Sequence, residues 1–248
     1  MSLDMTTVTG ITVPEGTVVQ IKDSNDNVLW QIPYRYRKLQ YIESGPSTSK
    51  GQYCIRLSEG GRYYEVDYAL STTTWNNTGS GQFWGGLIAT NDGNDSRGGY
   101  VESSSKVTWA FAGSSKTTVS SDLANTNRHT VYVKPISAAG YNYTRLAIDG
   151  TGTNSIKATW SGMQNSGLYS LFAQKYDNSE WSIYAKLYSF TALQADNPAT
   201  TGTYTCHYYP AQDKITGKVG VYCEETNTFY SNVNTNYNFT AGPTVTED

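Results

Sequence analysis

The chain has 248 residues, enough for one large domain with a sizeable core, and it is 38% hydrophobic, 13% aromatic and 16% charged. Its 21 tyrosines and 23 glycines favour pleated strands and tight turns, which indicates an all-β protein. A net charge of −3 without a basic stripe excludes the usual pattern of nucleic-acid-binding proteins, and no apolar run reaches the ~20 residues of a membrane helix. The N-terminal MSLDMTTVTG lacks the basic and apolar regions of a signal peptide, so we expect a soluble protein made in the cytoplasm.

The first predicted element is a β-hairpin. The runs TVVQIK and VLWQI alternate between apolar and polar residues, and the DSNDN between them has the composition of a turn. Pro33 and the basic YRYRK that follows it mark a boundary near residue 36, so we expect a hairpin segment over 1–35 and a main domain over 36–248. Because an isolated two-stranded hairpin is marginally stable in water, it should dock on the main domain or on a partner.

Short runs rich in β-branched and aromatic residues continue through the main domain, separated by Gly, Ser, Asn and Asp clusters. No sustained helical periodicity is present, although FTALQAD could form one helical turn. A dozen or so short strands with turns between them predict a β-sandwich or jelly roll. The predicted strands lie near residues 52–57, 62–70, 82–90, 106–112, 128–136, 143–149, 154–160, 168–174, 180–190, 203–209, 217–223 and 227–231.

Cysteine and histidine are scarce in this chain. Cys54, Cys206 and Cys223 lack the spacing of metal ligands. A disulfide between Cys206 and Cys223 is one interpretation, and three small buried hydrophobic residues are the one we favour, because no export signal is present. His129 and His207 are the only histidines, and the sequence supports neither a catalytic triad nor a zinc site, so we expect structural roles for both.

Two regions of the main domain carry specific motifs. The first reads Tyr-Arg-x-Leu-x-Tyr-Ile-Glu-Ser and then Gly-Gln-Tyr, and the second is a set of Pro, Gly, Asn and aromatic positions near the C-terminus. Together they resemble the concanavalin A-like, laminin G-like jelly-roll domains common in phages and prophages of gut bacteria. The loop ESGPSTSKGQY is longer than the usual turn of that family. The matching positions are Tyr36, Arg37, Leu39, Tyr41, Ile42, Glu43, Ser44, Gly51, Gln52, Tyr53, Pro210, Asp213, Gly217, Gly220, Tyr222, Asn227, Phe229, Tyr230, Asn232, Phe239, Ala241, Gly242 and Pro243.

The resemblance implies a concanavalin A-like jelly-roll β-sandwich in a phage virion surface protein of the tail-fibre, head-fibre or decoration type. It implies contacts with other virion proteins through the hairpin and with host cell-surface or mucosal glycans through the jelly roll. We expect no enzymatic activity, and the alternative function is that of a purely architectural decoration protein without a ligand. The chain has no heptad repeats, so any homo-oligomer must form through the jelly roll or a partner.

A carboxylate pair lies in the run RYYEVDYALS, over 62–71. Strand alternation places Glu65 and Asp67 on the face opposite the core, where they would meet solvent or a groove. Laminarinase-type glycosidases share the fold and carry a strand resembling Glu-x-Asp-x-x-Glu, but Leu70 stands at the last position here. Retaining hydrolysis needs two carboxyl groups ~5–5.5 Å apart, and their pKa values must differ so that one of them can donate a proton. Two adjacent solvated carboxylates have no obvious feature that would make their pKa values differ. We therefore expect an ordinary strand, with a glycosidase as the less favoured hypothesis.

The loop ATNDGNDSRGGYVES, over 89–103, is the most site-like part of the chain. Its Asp and Asn oxygens at 91–97 could bind Ca²⁺, although the loop fails the EF-hand template and a solvated, turn-rich loop is the simpler interpretation. Sugar-binding sites combine aromatic faces with a few convergent polar groups, so the loops at 75–84 and 91–100 are the predicted glycan contacts. The candidate ligand-binding residues are Trp75, Trp84, Asn91, Asp92, Asn94, Asp95, Arg97 and Tyr100.

Overall fold

The structure is a computed structural model, and within the residues that it describes the chain forms β-strands and no helix, which confirms the predicted all-β class. The described residues are 20–22, 28–31, 35–61, 63–72, 85–90, 98–103, 106–111, 115–120, 125–138, 141–149, 155–156, 167–173, 181–194 and 204–246. In chain order the strands are β1 (Gln20–Lys22), β2 (Val28–Gln31), β3 (Tyr36–Lys38), β4 (Ile42–Glu43), β5 (Ile55–Gly61), β6 (Tyr63–Leu70), β7 (Gly85–Gly86), β8 (Ile88–Thr90), β9 (Gly98–Ser103), β10 (Lys106–Phe111), β11 (Ser115–Ser120), β12 (Arg128–Ala138), β13 (Tyr141–Ile148), β14 (Ser155–Ile156), β15 (Gly167–Leu171), β16 (Ala185–Gln194), β17 (Tyr204–Asp213), β18 (Val219–Cys223), β19 (Thr228–Ser231) and β20 (Thr240–Ala241).

Eleven of these strands form the larger sheet. Its main path runs β14-β13-β12-β6-β16-β17-β18-β19, and each neighbouring pair on that path is antiparallel. The short strand β3 pairs with the end of β17, while β4 pairs with both β16 and β20. Strands β6 and β16 lie next to each other at the centre of the sheet, although more than a hundred residues separate them in sequence.

Two smaller sheets make up a second layer. One has the order β11-β10-β9-β7 and the other the order β5-β15-β8. They meet at Leu87, which lies between β7 and β8. Its N–H donates to the carbonyl of Gly99 at 2.9 Å, and its own carbonyl accepts from the N–H of Phe172 at 2.7 Å. Leu87 therefore joins the two smaller sheets by backbone hydrogen bonds on both sides.

The hydrophobic core lies between the two layers. Tyr169 of β15 contacts Tyr64 of β6 and Phe190 of β16, with ring centroids 5.7 and 5.2 Å apart. Burial of such a large apolar side chain contributes ~1.5–3 kcal/mol to stability. Two antiparallel layers around one core are consistent with the predicted β-sandwich. The largest fully buried side chains are Tyr68, Tyr169, Tyr208, Phe172, Phe190, Ile42, Ile55, Leu57, Leu70 and Leu87.

Each predicted strand of the main domain overlaps a strand of the structure, because alternation over five or more residues is a strong signal. The helical turn predicted at FTALQAD is wrong as far as Gln194, since Phe190 and Ala192 continue β16, pair with β6 and are buried in the core. The loop predicted over 89–103 is wrong at its C-terminal end, because Gly98–Ser103 form β9 and pair with β10. Strands β3, β4, β9, β11 and β20 were not predicted.

The predicted N-terminal hairpin is present as β1 and β2, which pair antiparallel with Gln20 opposite Gln31 and Ile21 opposite Trp30. Among the strands that the structure describes, these two are paired only with each other. A hairpin of this size needs further packing to be stable in water. The division of the chain after residue 35 stays a prediction.

Asp213, at the end of β17, binds the residue that precedes β3. Its carboxylate accepts hydrogen bonds from Nε of Arg35 at 3.2 Å and from Nη2 of Arg35 at 2.8 Å. It also accepts from the N–H of Ile215 at 2.9 Å and from the hydroxyl of Thr216 at 2.8 Å. The hydrogen bonds from Arg35 are the main reason why the pKa of Asp213 lies well below its ordinary value, against the opposing effect of burial.

We expect the free energy of unfolding to fall as the pH drops below about 4, and to fall less steeply in the Asp213→Asn variant. The lowered pKa means that the unfolded carboxyl, with an ordinary pKa of ~3.9, binds a proton before the folded one does. The stabilisation by Asp213 is therefore complete above that pH and is lost progressively below it. Urea denaturation at about pH 6 and about pH 3 measures the difference. Arg35→Gln should flatten the pH dependence in the same way, and equal slopes in all three proteins would refute this role.

Candidate functional site

The outer face of the larger sheet is the side of β6 that points away from the core. Tyr64, Val66 and Leu70 are buried in the core, as the alternation predicts, which places Glu65 and Asp67 on the opposite face. Glu65 is half-buried. Asp67 is only 9% exposed, so the expectation of a solvated carboxylate is wrong for this residue. Its carboxylate has a charged partner on a neighbouring strand.

That partner is Arg128, the first residue of β12. Its Nε donates to the two carboxylate oxygens of Asp67 at 2.8 and 3.0 Å, and its Nη2 donates to Oδ2 at 2.5 Å. The guanidinium carbon also lies 4.1 Å from the ring centroid of Tyr188. The hydrogen bonds to Asp67 raise the pKa of Arg128 above its ordinary value, although burial acts in the opposite direction. The guanidinium is therefore held by a carboxylate and by an aromatic face together.

A second cation and aromatic pair lies beside the first. Nζ of Lys186 is 4.8 Å from the ring centroid of Tyr41, and this ring is 5.5 Å from the ring of Tyr188. Tyr132 lies opposite Glu65 in the register of β12 and β6, and its own burial and the nearby Glu65 raise its pKa. We call this group the outer-face cluster; its members are Tyr41, Glu65, Asp67, Arg128, Tyr132, Lys186 and Tyr188.

The position at which a glycosidase would carry its acid/base does not face this cluster. The register of β6 with β12 is continuous from Tyr64 to Ala69, so no bulge turns the next residue outward. Leu70 points into the core and is 2% exposed. Asp67 is committed to Arg128 as a hydrogen-bond acceptor. What the cluster offers is a fixed surface of tyrosine rings with charged donors and acceptors between them.

Both histidines bind carboxylates. Nδ1 of His129 lies 2.8 Å from Asp149, and its Nε2 lies 3.0 Å from Oδ1 of Asn125. Burial would raise the pKa of Asp149, but hydrogen bonds from His129 and from a backbone N–H lower it overall. Nδ1 of His207 lies 2.5 Å from Glu225. Both histidines thus link a strand to a neighbouring turn, which is consistent with the structural roles expected from the sequence.

The three cysteines are buried and free, in agreement with the interpretation as small hydrophobic residues. Cys206 and Cys223 lie on adjacent strands, β17 and β18, and each is at most 1% exposed. Burial raises the pKa of the Cys223 thiol to about 12, so this thiol carries no charge at neutral pH. A neutral buried thiol packs as an apolar group.

The predicted glycan-contact residues cannot be placed in the cluster. Tyr100 lies on β9 rather than in a loop, and its side chain is outside the described part of the structure. Within the described ranges, no three His, Cys, Asp or Glu side chains are arranged to hold a metal ion, and the predicted Ca²⁺ loop at 91–97 is not among those ranges. The other candidates that lie outside the described residues are Trp75, Trp84, Asn91, Asp92, Asn94, Asp95 and Arg97.

Sequence reasoning found Glu65 and Asp67 but missed the other members of the outer-face cluster. Arg128 stands 61 residues from Asp67 in the chain, and no local pattern links them. In the part of the chain that the structure describes, no helix is long and apolar enough to cross a membrane. A comparison with family models, with curated proteins and with solved structures finds no match to this chain.

Proposed function

We propose that this chain is a phage virion surface protein whose two-layer β domain binds host or mucosal glycans. The observation that carries the proposal is the outer-face cluster, in which Tyr41 and Tyr188 stand between charged groups that can exchange hydrogen bonds with sugar hydroxyls. Aromatic faces with a few convergent polar groups are the general composition of a sugar-binding surface. The motif resemblance to phage jelly-roll domains supports the same function and the location on a virion.

The cluster is prepared for binding because its polar groups are already oriented. Arg128 is fixed between Asp67 and Tyr188, so little side-chain entropy is lost when a ligand arrives. We also propose that the fold is a concanavalin A-like jelly roll, which the order of antiparallel strands in the larger sheet supports. Under this proposal the protein binds glycans without cleaving them, since the third motif position is the buried Leu70.

We expect the purified protein to bind cell-wall polysaccharide or mucin glycans on an array, and the Tyr188→Ala variant to bind at least about tenfold more weakly. The lost ring would remove both a stacking surface and the support of Arg128. Tyr188→Phe keeps the ring and should retain most of the affinity. Trp75→Ala tests the predicted loop contact in the same assay. A folded wild-type protein that binds none of these glycans would exclude the proposed function.

The alternative function, an architectural decoration protein without a ligand, has one observation in its favour. Strands β1 and β2 are paired only with each other among the described strands, as expected of a segment that packs on another protein. Such a protein would act through its N-terminal hairpin rather than through the outer-face cluster.

Deletion of residues 1–34 should abolish incorporation into the virion while leaving the melting temperature of the remaining chain unchanged. This deletion keeps Arg35, whose hydrogen bonds to Asp213 belong to the main domain. Incorporation is measured by immunoblotting of purified particles, and stability by thermal denaturation. Normal incorporation of the shortened chain would exclude the hairpin as the attachment segment. Glycan binding by the same shortened chain distinguishes the binding protein from the purely architectural one.

A further inference from the structure

One end of the main domain concentrates positive charge. Strand β3, the end of β17 and the turn before β18 meet there, with Tyr36 opposite Asp213 in the strand register. The N–H of Lys214 donates to the carbonyl of Arg35 at 3.0 Å, and the N–H of Asp213 donates to the carbonyl of Lys218 at 2.9 Å. We call this surface the basic end; its members are Arg35, Arg37, Lys38, Lys214, Ile215 and Lys218.

The charge at the basic end opposes that of the whole chain, which carries a net charge of −3. Five cations belong to this surface, and two of them are paired with carboxylates. Asp213 is buried and bound to Arg35 at 2.8 Å, and Glu224 lies 3.2 Å from Lys38. Lys214 and Lys218 are exposed to solvent.

An exposed apolar side chain lies in the turn between Lys214 and Lys218. Ile215 is 76% exposed, against 43% for Val233 and 39% for Val245, the other exposed large hydrophobic residues that the structure describes. Val245 is also at this end, since its N–H donates to the carbonyl of Lys38 at 3.1 Å. Two of the three exposed apolar side chains therefore adjoin the basic end.

The turn that carries Ile215 is rigidly built. Its N–H donates to the Asp213 carboxylate at 2.9 Å, the hydroxyl of Thr216 donates to the same carboxylate, and Gly217 has a φ of 72° that allows the chain to reverse. A rigid apolar anchor surrounded by charge is a typical arrangement at protein interfaces, because ordering it on binding costs little entropy.

We propose that the basic end is a docking surface for an acidic surface of a virion protein, with Ile215 entering an apolar pocket at its centre. This inference rests on the proposed location of the chain on a virion. The hairpin segment precedes Arg35 in the chain, and Arg35 is a member of the basic end, so the proposal gives one partner two contacts that are neighbours in sequence. Two contacts on one partner reinforce each other through effective concentration.

A second copy of this chain is a poor occupant for the same surface. A two-fold contact between two basic ends would bring like charges together, and such contacts are strongly unfavourable. Nucleic acid is also disfavoured, because the chain as a whole is acidic and the centre of the surface is apolar. An acidic protein surface satisfies both the cations and the apolar side chain.

The test uses purified phage particles produced from a genome that lacks this chain, with the full-length protein added back. Binding is measured by biolayer interferometry at low and at physiological salt. We expect wild-type protein to bind, with an affinity that falls as salt rises. Lys214→Glu combined with Lys218→Glu should weaken binding at least about tenfold, and Ile215→Ser should do the same without a salt dependence of its own. The matched controls Lys50→Glu with Arg56→Glu, and Val233→Ser, change exposed residues elsewhere and should bind like wild type.

The outcomes separate this proposal from the one on which it rests. If wild type binds the particles and the basic-end variants bind equally well, the docking surface is overturned while the virion location stands. If folded wild-type protein does not bind the particles at all, both proposals fail. The basic-end variants could instead bind the particles normally but lose self-association in sedimentation. That result would assign the surface to a second copy of the chain and overturn the proposal. Loss of binding to DNA released from the particles, with normal particle binding, would assign the surface to nucleic acid and overturn it in the same way.

Discussion

The Gly220→Ala variant should lose about 3 kcal/mol or more of its free energy of unfolding, a loss at the upper end of what overpacking costs. A Cβ atom at this position would lie 1.9 Å from the carbonyl oxygen of Tyr230 and 3.0 Å from the Cα of Ser231. Both atoms belong to the backbone of β19, the neighbour of β18, so they cannot move away as a flexible side chain would. Urea denaturation followed by circular dichroism gives the difference in free energy.

Gly217→Ala is the matched control for this prediction. Gly217 has a φ of 72°, which an alanine adopts at a cost of roughly 1–2 kcal/mol, but nothing lies within 4 Å of the added Cβ. The two substitutions add the same atom to neighbouring glycines of one motif, and they differ in what that atom meets. A smaller loss for Gly220→Ala than for Gly217→Ala would contradict the close approach of β18 and β19. A Gly220→Ala chain that fails to fold would agree with the close approach of the two strands.

The strand pattern of the main domain could be predicted because it is a local property. Tyr64, Val66 and Leu70 alternate with polar residues, and the structure buries them as that alternation requires. Strands such as β4 and β20 have two residues each, which is too short for any periodicity to show. Their existence depends on pairing with chain segments far away in sequence, so they could not be read from local residues.

The same distinction explains what was missed in the candidate site. The outward direction of Glu65 and Asp67 follows from strand alternation, and that prediction was confirmed. The ion pair of Asp67 depends on Arg128, whose strand is separated from β6 by a long stretch of sequence. Tyr188 lies beside a register shift between Leu187 and Ser189, so simple alternation would not have given its direction. The partner of a charged residue is set by the tertiary structure. That partner determines whether a carboxylate is free to act as an acid or a base.

Asn232 is the last of the matching positions in the run Asn-Thr-Phe-Tyr-Ser-Asn over 227–232, and its contacts give a physical reason for an amide at that position. Its Oδ1 accepts from the N–H of Cys54 at 2.9 Å. Its Nδ2 donates to the carbonyls of Gln52 and Tyr237, each at 2.8 Å. The side chain is 8% exposed, so these bonds form away from bulk water. One amide thus ties the segment before β5 to the C-terminal segment, and neither an apolar nor a carboxylate side chain offers the same donors and acceptor.

Asn232→Ala should therefore lower the free energy of unfolding by about 3 kcal/mol or more, because it removes an acceptor and two donors from buried backbone groups that water reaches poorly. Asn236→Ala is the control, since Asn236 is exposed in the same loop and its loss should cost no more than about 0.5 kcal/mol. Urea denaturation of the two variants and the wild type gives both values. Amide hydrogen exchange adds a local measurement, in which the N–H of Cys54 should lose protection in Asn232→Ala alone. Equal stability of the two variants would mean that the C-terminal segment is held mainly by the packing of Phe239 and Tyr237 on Tyr53, rather than by this amide.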